Sequence, residues 1–231
     1  MYSKTKINSK RMMDKQKDRP ILEATLEMSE AVIDALTDDK MLAEIPVVGT
    51  AIKFCKAVDD IRNRAFVAKL ARFVSTLSTV QEVVKQKWRE RVAESPEEAQ
   101  KVGETLFLIL DRFTDFDKPI LLSQLFLAYV DGHISSQELR RLAQAIDSCF
   151  FDDLKQLLDT HRLPEKSDAT WLRYLSAAGL TQIAAGQTWD ESGNYYEVSS
   201  LGHKLRNAYL HGRRFTINSS FSRKATNQGA D

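Results

Sequence analysis

The feature that most constrains this sequence is a run of residues, 119–130, that is apolar almost throughout. Its length favours a helix over a strand. A helix that is apolar on most of its sides has no face suited to water, so other elements have to surround it. We therefore predict a mainly α-helical bundle built around this segment. Its apolar side chains are Ile120, Leu121, Leu122, Leu125, Phe126, Leu127, Ala128, Tyr129 and Val130.

The central helix is predicted to end at Asp131-Gly132, and a second helix to begin just after Ser135. Ser135 followed by Glu138 predicts a capping box, in which each side chain accepts a hydrogen bond from the other residue's backbone N–H. Ile134, between the two helices, is predicted to enter the core. The apolar positions that follow are Leu139, Leu142, Ala143, Ile146, Phe150, Phe151, Leu154, Leu157 and Leu158.

Helical periodicity also precedes the central helix. It predicts helices over residues 20–37, 51–77 and 80–93, with Lys69 on the polar face of the second. Ser95-Pro96 followed by Glu98 predicts the start of a further helix, with a second capping box.

The period changes after residue 165. We predict a short helix closed by Gly179, a strand at 180–183, and two strand ends around the turn Gly193-Asn194. A last helix is predicted to begin after Ser199. The predicted organisation is a disordered basic arm (1–19), a helical domain (20–160), a second unit (165–215) and a disordered tail (216–231).

The net charge of +1 conceals two basic ends. Residues 1–19 hold seven Lys or Arg against two Asp, and residues 202–231 hold six against one Asp, so the middle is acidic. Basic ends can contact nucleic acid or anionic lipid. They can equally be solvated tails, or tails that bind the acidic middle of the same chain. Two isolated cysteines and the lack of an apolar N-terminal core predict a cytoplasmic protein without disulfides.

An apolar patch lies within residues 45–57. It is too short to span a membrane, which takes about 20 apolar residues. It could lie in a membrane interface as an amphipathic helix, although its polar face mixes both charge signs. Packing against the other helices is the alternative.

The segment after the central helix is similar to the second half of a calcium-binding loop. Asp131, Gly132 and Glu138 occupy loop positions 5, 6 and 12. Positions 1 and 3 fall on Leu127 and Tyr129, which lack a suitable oxygen, so the sequence predicts a structural turn and no calcium site.

The sequence LFLAYVDGHISSQELRRL resembles the TerB-like helical domains of tellurite-resistance proteins, over residues 119–158. The resemblance implies a helix pair joined by a D-G-x-[IV]-[ST]-x-x-E turn. It also implies acidic side chains that gather metal in that family. Capping accounts for several of the acidic residues here, so we predict no metal and no cofactor. The acidic candidates are Asp111, Asp115, Asp117, Asp131 and Glu138.

The segment WLRYLSAAGLTQI…GNYYEVSSLGHKL resembles the end of a winged-helix domain, over residues 169–210. The resemblance implies a small helix–hairpin–helix unit that binds DNA or protein. Its candidate recognition helix, 169–178, carries Arg173 as the one base-reading cation. The pattern residues are Tyr196, Val198, Ser199, Leu201, Gly202 and Leu205, and further candidate nucleic-acid contacts are Lys204, Arg206, Arg213 and Arg214.

Arg206 and His211 match the R-N-x-x-x-H form of the motif of HEPN-type ribonucleases. The resemblance implies that His211 acts as base or acid on a ribose hydroxyl and that Arg206 stabilises the phosphate. Residues five apart on a helix lie about 140° apart, so the pair converges only at a distorted turn or across a dimer interface. A last helix with a basic edge is the structural alternative.

The leading interpretation is a non-catalytic adaptor or regulator that acts through protein or nucleic-acid contacts. Bacterial stress response and phage defence are the settings that analogy suggests. A HEPN-like ribonuclease using Arg206 and His211, and a peripheral membrane-perturbing protein using residues 45–57, are the alternatives. The sequence leaves the oligomeric state open.

Overall fold

A computed structural model describes residues 61–78, 80, 82–184 and 194–226. The basic arm (1–19), the helix at 20–37 and the apolar patch within 45–57 lie outside the described residues. The described part confirms a mainly helical fold with a small antiparallel sheet. Its elements are α1 (Ile61–Ser78), α2 (Glu82–Glu94), α3 (Pro96–Arg112), α4 (Lys118–Val130), α5 (Ser136–Ser148), α6 (Phe151–Asp159), α7 (Thr170–Leu175), β1 (Thr181–Ile183), β2 (Tyr196–Val198) and α8 (Ser200–Thr226).

Helix α4 lies at the centre of the bundle, as its composition predicts. Every residue of α4 except Ile120 is buried. Helices α1, α2, α5 and α8 all pack on it, and α8 makes the most extensive contact. Leu172 and Leu175 of α7 and Leu205 of α8 belong to the same hydrophobic core as α4. The segments predicted as a helical domain and a second unit therefore share one core.

Two buried lysines bind the carboxyl ends of helices. Lys118 donates to Asp147 O at 3.1 Å and to Cys149 O at 2.6 Å, at the end of α5. Lys69 donates to the carbonyls of Asp111 and Phe113 at 2.7 and 2.9 Å, at the end of α3. Terminal helix carbonyls lack intrahelical partners, and an ammonium group satisfies them. The prediction that Lys69 lies on a polar face is therefore wrong, since its side chain is buried.

The two predicted capping boxes have different outcomes. The Ser135–Glu138 box at the start of α5 forms in full. Ser95 precedes α3 as predicted but makes no side-chain cap bond, so that box is wrong. Glu98 instead accepts a hydrogen bond from Tyr129 Oη at 3.0 Å. The carboxylate of Glu98, which the local sequence assigned to a cap, therefore binds the buried phenol of Tyr129 in α4.

The break between α5 and α6 corrects one core assignment. Phe150 is 68% exposed, although the sequence places it in the core. It precedes α6 in an extended conformation, outside the helical face that Leu154 and Leu157 turn inward. The helical repeat of buried positions begins only after Phe150, so that repeat does not predict the burial of Phe150.

The C-terminal elements follow the predicted order. Strands β1 and β2 pair antiparallel, with Thr181 opposite Val198. Residues 185–193, which include Gly193 of the predicted Gly193-Asn194 turn, lie outside the described residues. Gly179 adopts φ +73°, as a helix-closing glycine does. Ser199 Oγ accepts from Gly202 N at 3.1 Å, which confirms it as the cap of α8. Helix α8 continues to Thr226, beyond the predicted start of the tail at 216.

A glycine allows the close approach of α8 to α4. A Cβ atom at position 212 would lie 2.0 Å from Gln124 O, a backbone atom that cannot move aside. Glycine thus has a packing reason to occupy the middle of a helix, where it costs about 1 kcal/mol relative to alanine. This contact sets the distance between the last helix and the central one.

We expect Gly212→Ala to lower the free energy of unfolding by about 1–3 kcal/mol, because overpacking at the α4–α8 contact outweighs the gain in helix propensity. Chemical denaturation measures this difference. Asn207→Ala, at an exposed position of the same helix, is the control and should stay within about 0.5 kcal/mol of the wild type. A Gly212→Ala protein more stable than the wild type would contradict the close contact.

Candidate functional site: the Asp131–His211 cluster

The turn between α4 and α5 projects polar side chains toward α8. Gly132 adopts φ +82°, a left-handed conformation that closes helices. Its N–H donates to Tyr129 O, and His133 N–H donates to Ala128 O, each at 2.9 Å. These two bonds fix the turn, and so they fix the positions of Asp131 and His133 on either side of Gly132.

The carboxylate of Asp131 joins three elements of the fold. Its Oδ2 lies 2.7 Å from His211 Nε2 of α8, and its Oδ1 lies 2.5 Å from Lys87 Nζ of α2. The Asp131 and His211 side chains are 18% and 20% exposed, whereas Lys87 is 46% exposed. Residues 44 and 80 positions away in the sequence thus meet at one carboxylate.

The imidazole rings of His133 and His211 stack face to face. Their centroids lie 4.2 Å apart, with an angle of 5° between the planes. Phe215, one turn further along α8, meets the His211 ring edge-on at 5.6 Å. We call this set of three rings, His133, His211 and Phe215, the ring column.

The charges around the cluster shift the pKa of its members. Partial burial acts to raise the pKa of Asp131, but hydrogen bonds from Lys87 and His211 bring it below its usual value. Partial burial lowers the pKa of His133, and the neighbouring His211 and Arg214 lower it further. Folding therefore favours the carboxylate form of Asp131 and the neutral form of His133.

A second ion pair links α5 to α8 beside the cluster. Lys204 binds Glu138, whose carboxylate also accepts from Ser135 N at 2.8 Å. The hydrogen bond from Lys204 is the main reason that the pKa of Glu138 falls to about 2, and the bond from the Ser135 backbone adds to it. An open groove of about 310 Å³ lies here, lined by Gln137, Glu138, Arg141, Ser200, Leu201 and Lys204.

The two residues of the ribonuclease-like motif bind different parts of the protein. Arg206 Nη1 donates to Leu157 O of α6 at 2.9 Å, whereas His211 binds Asp131 in the α4–α5 turn. Within this chain, α8 does not bring the two side chains to a common partner. The five-residue spacing on a regular helix accounts for the separation.

The other predicted nucleic-acid contacts do not share one surface. Arg173 is exposed on α7. Lys204, Arg213 and Arg214 are exposed on α8, and the guanidinium of Arg213 lies 5.7 Å from the Tyr209 ring centroid. Lys204 and Arg214 therefore lie on the same side of α8 as the ring column, because Lys204 binds Glu138 and Arg214 acts on His133. Arg213 follows His211 by two residues and so lies about 160° away around the helix, on the side of Tyr209.

The acidic residues suggested by the TerB-like resemblance do not gather. Asp117 binds Arg72 at 2.5 Å, and Asp115 accepts from the backbone N–H of Asp117. Asp131 and Glu138 bind the groups already described. Among the described residues, no group of three or more His, Cys, Asp or Glu side chains could hold a metal ion.

Lys87 and His133 are the members of the cluster that sequence reasoning missed, and it considered Asp131 only as a possible metal ligand. Asp131 and Gly132 carried a turn signal, but that signal concerns the backbone and says nothing of His211. Lys87 lies in a helix rich in charged residues, and nothing in the local sequence distinguishes it from the other lysines and arginines of that helix. Only the packing of α2 and α8 on α4 brings these groups together.

Comparison of the chain with protein-family models, with curated proteins and with solved structures gives no significant match. The likenesses to TerB-like domains, winged-helix domains and HEPN-type ribonucleases therefore stay predictions. No helix in the described part of the chain is long and apolar enough to cross a membrane.

The cluster predicts a loss of stability on acidification. Because the folded-state pKa of His133 lies below its unfolded value of 6.5, its contribution is present above pH 6.5 and is lost as the pH falls through the folded-state pKa. Asp131 and Glu138 act in the same direction below their usual values of 3.8 and 4.5. We expect the unfolding free energy of the wild type to fall between pH 7.5 and 5.5, and His133→Gln to reduce that fall.

Urea denaturation at the two pH values measures both proteins. His203→Gln, at an exposed position of α8, is the matched control and should keep the wild-type fall. An equal fall in His133→Gln and in the wild type would show that His133 does not titrate as its surroundings indicate.

Proposed function

We propose that this protein is a non-catalytic regulator that acts through contacts of its C-terminal helix, α8, with nucleic acid or with another protein. The observation that carries the proposal is the separation of Arg206 and His211. Each side chain is bound by a different element of its own chain. A nuclease needs both groups at one phosphate, so this geometry favours a structural role for the pair.

The burial of the two side chains supports the same conclusion. Arg206 is partly buried, and its guanidinium satisfies a carbonyl in α6. His211 is only 20% exposed, with one nitrogen on Asp131 and one face on His133. Both groups stabilise the docking of α8. Arginine bound to a helix-end carbonyl and histidine bound to a carboxylate each contribute on the order of 1–3 kcal/mol.

The exposed cations of α8 support a role in contacts. Lys204, Arg213 and Arg214 are exposed, and Lys204 lines an open groove beside α5. Cations spread over a surface attract an extended anionic partner, whereas a small substrate calls for an enclosed pocket. The hairpin β1–β2 ahead of α8 is in keeping with the winged-helix resemblance, and winged units bind either DNA or protein.

One observation favours a second candidate, the HEPN-like ribonuclease. A carboxylate that binds one nitrogen of an imidazole orients the ring for proton transfer at the other nitrogen, and Asp131 binds His211 in this way. In that case the arginine at the phosphate would have to be Arg206 of a second copy of the chain, or the hydrogen bond from Arg206 to Leu157 O would have to break. The distinction between the candidates rests on what His211 does.

A pair of measurements on His211→Ala separates the two candidates. If His211 is structural, we expect the substitution to lower the unfolding free energy by about 1–3 kcal/mol through loss of the bond to Asp131. Purified wild type and variant should both leave a labelled RNA intact over a long incubation. Denaturation and gel electrophoresis of the RNA give the two readouts.

The control is His203→Ala, which removes an exposed histidine from the same helix and should change neither readout. RNA cleavage by the wild type that is lost in His211→Ala, and also in Arg206→Ala, would overturn the non-catalytic proposal in favour of the ribonuclease.

A further inference from the structure

His133 forms the outer end of the ring column, at the surface of the protein. His211 covers one face of the His133 ring, at a separation of 4.2 Å. Because His133 is exposed, its opposite face meets solvent. His211 is in turn held by Asp131 and by the edge of Phe215. The outer face of the His133 ring is thus the place where a further flat ring could stack.

Three cations lie near this end of the ring column. Lys87 of α2 binds Asp131, and Lys204 of α8 binds Glu138 of α5, with each lysine 46% exposed. Arg214 is exposed on α8 and acts on His133. Two carboxylates, Asp131 and Glu138, stand against these three cations, and each carboxylate already has a cationic partner. The surface around His133 therefore carries a net positive charge.

A stacking face surrounded by cations matches one class of partner. In single-stranded nucleic acid the bases are free to stack on protein rings while the phosphates bind lysine and arginine. In a duplex the base faces are covered by neighbouring bases, so the ring face would have no partner. An acidic peptide would use the cations but not the ring.

We infer that His133, supported by His211 and Phe215, is a stacking site for a base of single-stranded nucleic acid whose phosphates bind Lys87, Lys204 and Arg214. The inference rests on the proposed regulatory function and names its partner class. It assigns His133 as the residue that contacts a base. His211 and Phe215 are positioning residues that hold the ring of His133.

The test is fluorescence anisotropy of the full chain with labelled oligo-uridine, with oligo-thymidine and with a duplex of the same length, at 50 and 200 mM salt. We expect tighter binding of the single strands than of the duplex, and weaker binding at the higher salt concentration. The RNA and DNA arms show which of the two strands the site prefers.

Three variants test the assigned residues. We expect His133→Ala to raise the Kd for single strands about five- to 150-fold, the range that loss of one stacked base gives. His133→Phe keeps a flat ring and should restore most of the affinity. His203→Ala, an exposed histidine elsewhere on α8, should leave the Kd unchanged. Circular dichroism confirms that each variant is folded.

The outcomes separate this inference from the proposed function. Binding that is equal for duplex and single strands, binding that His133→Ala leaves unchanged, or no binding of any oligonucleotide would each overturn the stacking site. Any of those results would leave the proposed regulatory function in place, with contacts other than base stacking. Cleavage of RNA that is lost in His211→Ala would instead overturn the non-catalytic function, and it would leave the stacking result standing.

Discussion

The contact between α8 and α4 is the constraint on which the described part of the protein depends. Helix α4 is buried on nearly all sides, and each of its large apolar side chains stabilises the fold by about 1.5–3 kcal/mol when it leaves water. That gain is realised only if α8 covers the helix. Gly212 lets the two backbones meet at Gln124. The same contact places His211 opposite Asp131, so the geometry of the polar cluster follows from the packing of the core.

Polar groups at the edge of the core have partners that suit their burial. Lys118 is buried, and desolvation lowers its pKa, but it binds two helix-end carbonyls. Burial raises the pKa of Tyr129 to about 12, and its hydrogen bond to Glu98 contributes. Burial also raises the pKa of Cys149 to about 11. The phenol and the thiol are therefore neutral near pH 7, and Cys149 lacks the thiolate that a nucleophilic cysteine needs.

The cluster at Asp131 shows how a polar interaction can be structural and still shape a surface. Asp131 satisfies His211 and Lys87 and thereby fixes α8 and α2 to the turn after α4. In fixing His211, it also fixes the ring on which His133 stacks. A carboxylate that holds the fold together thus determines which ring face meets solvent. The proposed contact with nucleic acid depends on this arrangement, and no residue of it has to act as an acid or a base.

The sequence by itself determined the elements whose signals are local. The apolar run at 119–130, the turn at Asp131-Gly132, the Ser135–Glu138 box and the cap at Ser199 follow from side-chain chemistry within a few residues. Local signals failed where a distant partner competed. Tyr129 took the carboxylate of Glu98 from its predicted cap.

Tertiary structure alone decided the candidate site. Lys87, Asp131 and His211 meet because α2 and α8 both pack on the central helix and reach the turn at its end. No periodicity in the sequence records which turns of two distant helices will face each other. The R-N-x-x-x-H spacing drew attention to His211 as a candidate catalytic residue, and that role stays a prediction. Its partner could not be read from the sequence, because a helix separates Arg206 from His211 by about 140° and the fold supplied Asp131 from 80 residues away.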